Sequence, residues 1–303
     1  MSLSRRSFIN TGLAAAAISI LPEARVLAGS NNGTLGSRIK LAPKIGMCKF
    51  GGGDPEQIFK IVKGLGYDGI ELNSPGGLDK EACLKASKNL GFPIHGVVNS
   101  LHWKQPFSSQ DPAVRDLALK GLQQCILDAH LVGGSSVLIV PAVVKGGISH
   151  QQAWDTSIET IRQALPLAAE KGIHLLIENV WNNFLYDPKG GNAQSAELLC
   201  KYIDEFQSPW IGSYFDIGNH QRFGKPAEWI RTLGKRIVKL DVKDWGVKPG
   251  FCKIGDGDVD WADVRKALEE IKFTGWATAE VRGGDQARCA EVLANMQKHL
   301  LGV

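Results

Sequence analysis

A chain of 303 residues, 44% hydrophobic and 22% charged, has ordinary globular composition and enough length for one α/β barrel or two smaller domains. Its formal charge is +4, half of it from Arg5, Arg6 and Arg25 set against Glu23, too small and scattered for a nucleic-acid or anionic-membrane surface. Six cysteines stand singly, with no C-x-x-C pair, which excludes the usual structural zinc and dithiol redox sites and reads as small buried hydrophobes.

In chain order, residues 1–28 come first. Arg5-Arg6 precedes a short apolar run and the small-residue exit Val26-Leu27-Ala28, the layout of a twin-arginine export signal, so a periplasmic location is expected. The run is too short and alanine-rich for stable membrane insertion. A protein exported this way folds first in a reducing compartment, so disulfides are not expected to be needed for folding. Residues 29–43, "GSNNGTLGSRIKLAP", read as a flexible lead-in.

From Lys44 to Val303 one unit recurs: a short apolar strand, a loop, an amphipathic helix. Strands are expected at 44–50, 69–73, 94–99, 136–142, 174–179, 210–216, 237–244 and 275–281. Between them lie helical patterns such as "DPEQIFKIVKGLG", capped by Asp54 with Pro55 in the first turn, and one long helix over "ISHQQAWDTSIETIRQALPLAAEKG". Gly66, Gly91, Gly133, Gly172 and Gly275 stand where helices end before the next strand. Eight such units predict a single-domain (β/α)8 TIM barrel. The alternative is a doubly wound open sheet, but "FGGGDPEQI" lacks both the G-x-G-x-x-G and the P-loop lysine patterns.

In a barrel, successive strand residues alternate between the interior and the helix layer. That parity turns His174, Leu176 and Glu178 inward on the fifth strand, and Gly212, Tyr214 and Asp216 on the sixth. On the seventh it turns in Lys239, Asp241 and Lys243, with Val238, Leu240 and Val242 facing helices. On the eighth it turns in Trp276, Thr278 and Glu280. Glu178, Asp216, Asp241 and Glu280 thus converge at the C-terminal ends of four consecutive strands, where barrel sites are built. Four ionised carboxylates in one confined space repel unless protonated or neutralised, and oxygen ligands suit manganese or magnesium first; zinc and cobalt stay open. The competing reading is an ordinary ion network with Lys239, Lys243 and Arg282.

The segments "HLLIENV", "GSYFDIGN", "RIVKLDVKDW" and "KIGDGDVDWADVRKALEEIKFTGWATAEV" resemble the sugar isomerase/epimerase superfamily with the xylose isomerase-like barrel, over essentially everything from Lys44. The resemblance implies a divalent metal on Glu178, Asp216, Asp241 and Glu280, with aspartate where many relatives carry histidine at 241. It implies further that Glu178 and Glu280 exchange protons with a sugar. The expected activity is isomerisation or epimerisation of a non-phosphorylated sugar through an ene-diolate whose charge the metal offsets. The alternative is a lyase or dehydratase that uses the same C–H abstraction on a 3-keto-glycoside. The expected partner is a small carbohydrate, not nucleic acid, with homo-oligomerisation open. Weaker substrate-binding candidates are His95, Glu71, His220, Lys243, Trp181, Trp245 and Arg282, with Trp103 on the long loop "NSLHWKQPFSSQD", a candidate lid.

Overall fold

Eight parallel strands form one sheet in the order β1-β10-β7-β6-β5-β4-β3-β2, with helices between them. They are β1 (Ile39–Pro43), β2 (Ile70–Ser74), β3 (Ile94–Asn99), β4 (Ser136–Ile139), β5 (His174–Glu178), β6 (Ile211–Asp216), β7 (Ile237–Val242) and β10 (Gly275–Ala279). A short hairpin, β8 (Asp244–Gly246) with β9 (Gly250–Cys252), follows β7. The seam between β1 and β2 is drawn together where Asp68 N donates to Leu41 O at 2.9 Å and by an isolated bridge between Lys44 and Glu71. The sheet is therefore a nearly closed TIM barrel. This computed structural model describes residues 34–303. The twin-arginine segment 1–28 and residues 29–33 of the lead-in lie outside the described residues. Among those described, no helix is long and apolar enough to cross a membrane.

The first strand lies earlier than its expected position at 44–50. Residues 34–43 are not a flexible lead-in: Leu35–Arg38 is a helical turn and Ile39–Pro43 pairs in parallel with β10 from Gly275 to Ala279. The reason is burial. Leu35, Ile39, Leu41 and Ala42 are all in the core, whereas 45–47 and 51–53 form 3₁₀ turns at the barrel mouth. Lys44 therefore stands at the C-terminal end of β1, not at the start of a strand.

Local chemistry explains the other boundaries. Asp54 caps the helix Pro55–Gly64 by accepting from Glu56 N. The long helix expected from residue 148 breaks into His150–Arg162 and Leu165–Lys171, because Pro166 has no N–H to continue the ladder. Gly172 ends the second piece in the left-handed region at φ 67°.

Interior parity holds on β5 and β6, where Leu176 and Tyr214 join Leu138 in a small apolar cluster inside the barrel. On β7 one expectation fails. A register shift pairs Ser213 with Ile237 but Tyr214 with Lys239, so Val238 bulges and packs on that interior cluster instead of facing the helices. A Cβ at Gly212 would lie 2.7 Å from Val238 Cγ2, so only glycine fits there.

Candidate active site

Glu178 ends β5, Asp216 ends β6, Asp241 is the penultimate residue of β7 and Glu280 follows β10. One carboxylate oxygen from each lies within 4.8 Å of the others. Asp216 and Asp241 are fully buried, Glu178 nearly so, and the Glu280 side chain is a third exposed, so it forms the face open to solvent.

Two ammonium groups thread the cluster. Lys44 Nζ lies 2.7 Å from Asp241 Oδ2 and 3.1 Å from Glu280 Oε1. Lys243 Nζ lies 2.7 Å from Glu280 Oε2 and 3.1 Å from Asp216 Oδ2. Asn219, just past β6, joins three of these groups. Its N–H donates to Asp216 Oδ1 at 2.7 Å, its Nδ2 donates to Glu178 Oε1 at 3.3 Å, and its Oδ1 accepts from Lys243 Nζ at 3.1 Å. Asn179 holds the Asp216 backbone, accepting its N–H at 2.8 Å and donating to its carbonyl at 2.9 Å.

The electrostatics follow from this packing. Burial pushes Glu178 well above the usual carboxylate range, and the neighbouring Glu280 and Asp216 push it further. Burial also raises Asp241 far, against the pull of Lys44, and raises Asp216 to about 6 against that of Lys243. For Glu280 burial again pushes up, but Lys44 and Lys243 together outweigh it and hold the carboxyl well below its ordinary value. Both lysines in turn are raised: burial works against their charge, and the carboxylates more than offset it.

These residues fit a divalent cation. Four ionised carboxylates against two ammonium groups would carry two unbalanced negative charges, so burial favours protons on Glu178 and Asp241 unless a divalent cation takes their place. Asp241 Oδ1 is buried with neither a hydrogen bond nor an ion pair. Asp216 Oδ2 and Glu280 Oε2 are each ion-paired to the Lys243 ammonium. Oxygens on opposite sides of a magnesium-sized ion stand about 4.2 Å apart, so a spread of 4.8 Å needs only a slight contraction.

Not every sequence candidate reaches the mouth. Glu71 is the second residue of β2, not its end, and lies fully buried, accepting from Tyr214 Oη at 3.0 Å. His95 is the second residue of β3, stacked 4.6 Å from the Trp276 ring, with Lys239 Nζ 3.0 Å from its Nδ1. Both side chains bond to the layer of Tyr214 and Thr278, one step beneath Asp216 and Glu280. Inward parity did not reveal their depth. Lys239 likewise donates to the His95 carbonyl at 2.6 Å rather than joining the carboxylate network. His220 does not line the cavity over the carboxylates. It is buried against Trp229 and Tyr186 and accepts from Asn179 Nδ2 at 3.1 Å, away from the cavity.

The cavity over the carboxylates, about 270 Å³, is bounded by Glu178, Glu280, Lys243, Asn219 and three solvent-exposed aromatics, Trp103, Trp181 and Phe251. Trp245 stands behind Trp181, with ring centroids 6.3 Å apart. Arg282 is exposed in an adjoining cavity. The candidate lid is tied at its base: Ser108 Oγ donates to Val143 O and accepts from Val143 N, and His102 Nδ1 accepts from Val140 N. Lys44, Asn219, His102 and Phe251 were not among the sequence candidates. Lys44 was hidden by the misplaced first strand. Asn219 could have been found from its place three residues beyond Asp216.

The motif "GDGDVDW" has a mechanical role. Asp244, at the start of the β8–β9 hairpin, accepts from Gly255 N at 2.8 Å and Trp261 Nε1 at 2.9 Å. A Cβ at Gly257 would come within 2.1 Å of Asp244 Oδ1, so glycine is required there. The hairpin that carries Phe251 is thereby locked to the helix Trp261–Glu270.

The sequence profile described as xylose isomerase-like TIM barrel matches residues 59–299. L-ribulose-5-phosphate 3-epimerase UlaE of Escherichia coli is 24% identical over 262 residues, 79% of this chain and 89% of that protein. D-psicose 3-epimerase of Ruminiclostridium cellulolyticum is 26% identical over 186 residues, 58% of this chain and 59% of that one. Among solved structures, 3-keto-D-glucoside 4-epimerase of E. coli superposes with a TM-score of 0.69 at 15% identity, covering 86% of this chain and 100% of that one. Matched over most of its length, the chain belongs to the xylose isomerase-like TIM barrel family.

Proposed function

We propose that this protein is a divalent-metal-dependent isomerase or epimerase of a non-phosphorylated keto-sugar. The observation that carries this reading is the set of four carboxylates with two lysines gathered at the barrel mouth beneath an aromatic-walled cavity. Glu178, Asp216, Asp241 and Glu280 would hold the metal, manganese or magnesium first. When bound, the ion supplies positive charge for sugar oxygens on which negative charge grows as the C–H proton leaves.

The chain's own residues do the rest. Glu178 and Glu280 both border the reactive cavity, and they form the acid–base pair. One carboxylate takes the proton beside the carbonyl and the other returns a proton to the opposite face, so the carbon inverts. Asn219 orients Glu178, and Lys243 orients Glu280. Trp181, Trp103 and Phe251 offer ring faces to the sugar and exclude water from the reacting carbon. The twin-arginine reading of residues 1–28 places the reaction in the periplasm, which favours an unphosphorylated substrate, unlike the phosphate ester in the name of UlaE.

The experiment is solvent deuterium incorporation into a panel of keto-sugars by the manganese-loaded protein and by Glu178→Gln and Glu280→Gln. Label at one carbon, lost at least 100-fold in both variants, is expected. Full exchange in both variants sinks the acid–base pair. Release of an aglycone in place of exchange assigns the same machinery to elimination, the lyase reading.

A further inference from the structure

The reactive cavity has a larger neighbour. A second cavity of about 680 Å³ shares Lys243, Phe251 and Glu280 with the first, so the two adjoin across these side chains. The first alone is smaller than the roughly 300–1,000 Å³ typical of ligand sites, while the pair falls near the top of that range.

The walls of the second compartment say what it accepts. Phe251 and Val281 give it an apolar side, and Phe251 is half exposed. Its cations are largely engaged. Lys253 Nζ lies 2.5 Å from Glu291 Oε1, Arg288 Nη1 lies 2.6 Å from Glu291 Oε2, and Arg288 Nε donates to the Arg282 carbonyl. Such a wall joins an apolar side to an edge of paired ions and the exposed Arg282. It suits an uncharged ring with one apolar face and polar edges.

We propose that this compartment receives the glycosidic substituent of a two-part sugar, so that the preferred ligand is a glycoside bearing a second sugar ring or an aromatic aglycone rather than a free monosaccharide. The inference rests on the sugar-enzyme reading above and narrows its substrate class. Phe251, held by the locked hairpin, stands where the two halves of the ligand join. Lys243 and Glu280 face both halves.

The test is calorimetric titration of the full protein with phenyl β-D-glucoside, cellobiose and glucose, none of which needs turnover to be read. Phenyl glucoside and cellobiose are expected to bind at least tenfold more tightly than glucose. Filling the compartment with Cys252→Phe should remove that advantage and leave glucose binding within twofold. Lys253→Phe fills it from an exposed position and serves where Cys252→Phe fails to fold. Equal affinity for all three sugars, or a tenfold gap that survives both fillings, overturns the proposal. Glycoside preference with neither solvent label entering nor aglycone leaving any keto-glycoside upholds the compartment and sinks the enzymatic reading, so the two failures are distinguishable.

Discussion

Lys44 Nζ lies 2.7 Å from Asp241 Oδ2, so the end of β1 supplies the counter-charge for a buried carboxylate on β7. The same ammonium reaches Glu280, which makes Lys44 the link between three strands at the mouth. Removing one partner of a buried pair leaves the other uncompensated, at a cost of about 3 kcal/mol. Lys44→Met is therefore expected to lower the unfolding free energy of the metal-free protein, measured in urea, by that amount. Because the cluster then carries more unbalanced negative charge, manganese should raise the melting temperature of the variant more than that of the unaltered protein. An identical manganese response in both would show that Lys44 has no part in the charge balance.

Asp241→Asn tests the same balance from the other side. Asparagine keeps an oxygen at the site but gives up its charge, and cation affinity tracks the charge of the ligand set. Manganese binding, followed by electron paramagnetic resonance, is expected to weaken about tenfold, or ~1.4 kcal/mol. The Lys44→Met/Asp241→Asn double variant should lose less stability than the sum of the single changes, since each removes the other's partner. Strict additivity would deny the coupling.

How much of this could be read from the chain alone follows from what strand alternation encodes. Parity tells which side of a strand a residue faces, and it placed Glu178, Asp216, Asp241 and Glu280 in one interior before any coordinates. Height along the barrel axis is not in the parity. It comes from the stagger of neighbouring strands, as where Glu71 aligns with Gly96, one residue beyond His95, low on β3. Parity alone therefore does not separate Glu71 and His95, which sit beside Tyr214 and Thr278, from the carboxylates one step above. Val238 defeated the alternation through a bulge, which no local pattern announced. The first strand was missed because "RIKLAP" follows a polar, glycine-rich stretch and ends in proline. Its burial comes from pairing with β10, more than 200 residues away.

Trp181 is expected to act on binding rather than on the proton-transfer step. Its indole N–H donates to the Asn219 carbonyl, and its ring lies 4.9 Å from that of Phe251, which fixes a flat face over the cavity. Loss of one aromatic stacking surface corresponds to about 1 kcal/mol, so Trp181→Ala should raise KM roughly fivefold with kcat changed less. Trp181→Phe should recover most of the loss. A fall in kcat with KM unchanged would instead assign Trp181 to the positioning of Asn219 and Glu178.

His220 sets an expectation for stability against acid. Burial among Trp229, Tyr186 and Phe223 holds its pKa down at about 3, and its Nδ1 accepts a hydrogen bond, which requires the neutral ring. The unfolded chain takes up this proton near pH 6.5, while the folded chain resists until about pH 3. Between those values the unfolded state binds more protons, so stability falls as the pH falls through that window and is unaffected by this residue above it. From pH 7.5 to pH 5 the loss from this single group is about 2 kcal/mol. Urea unfolding of His220→Gln at the two pH values should show a decline smaller by that amount than in the unaltered protein, whatever the absolute stability of the variant. Equal declines in both would mean that the ring is protonated in the folded chain and that its aromatic enclosure admits water.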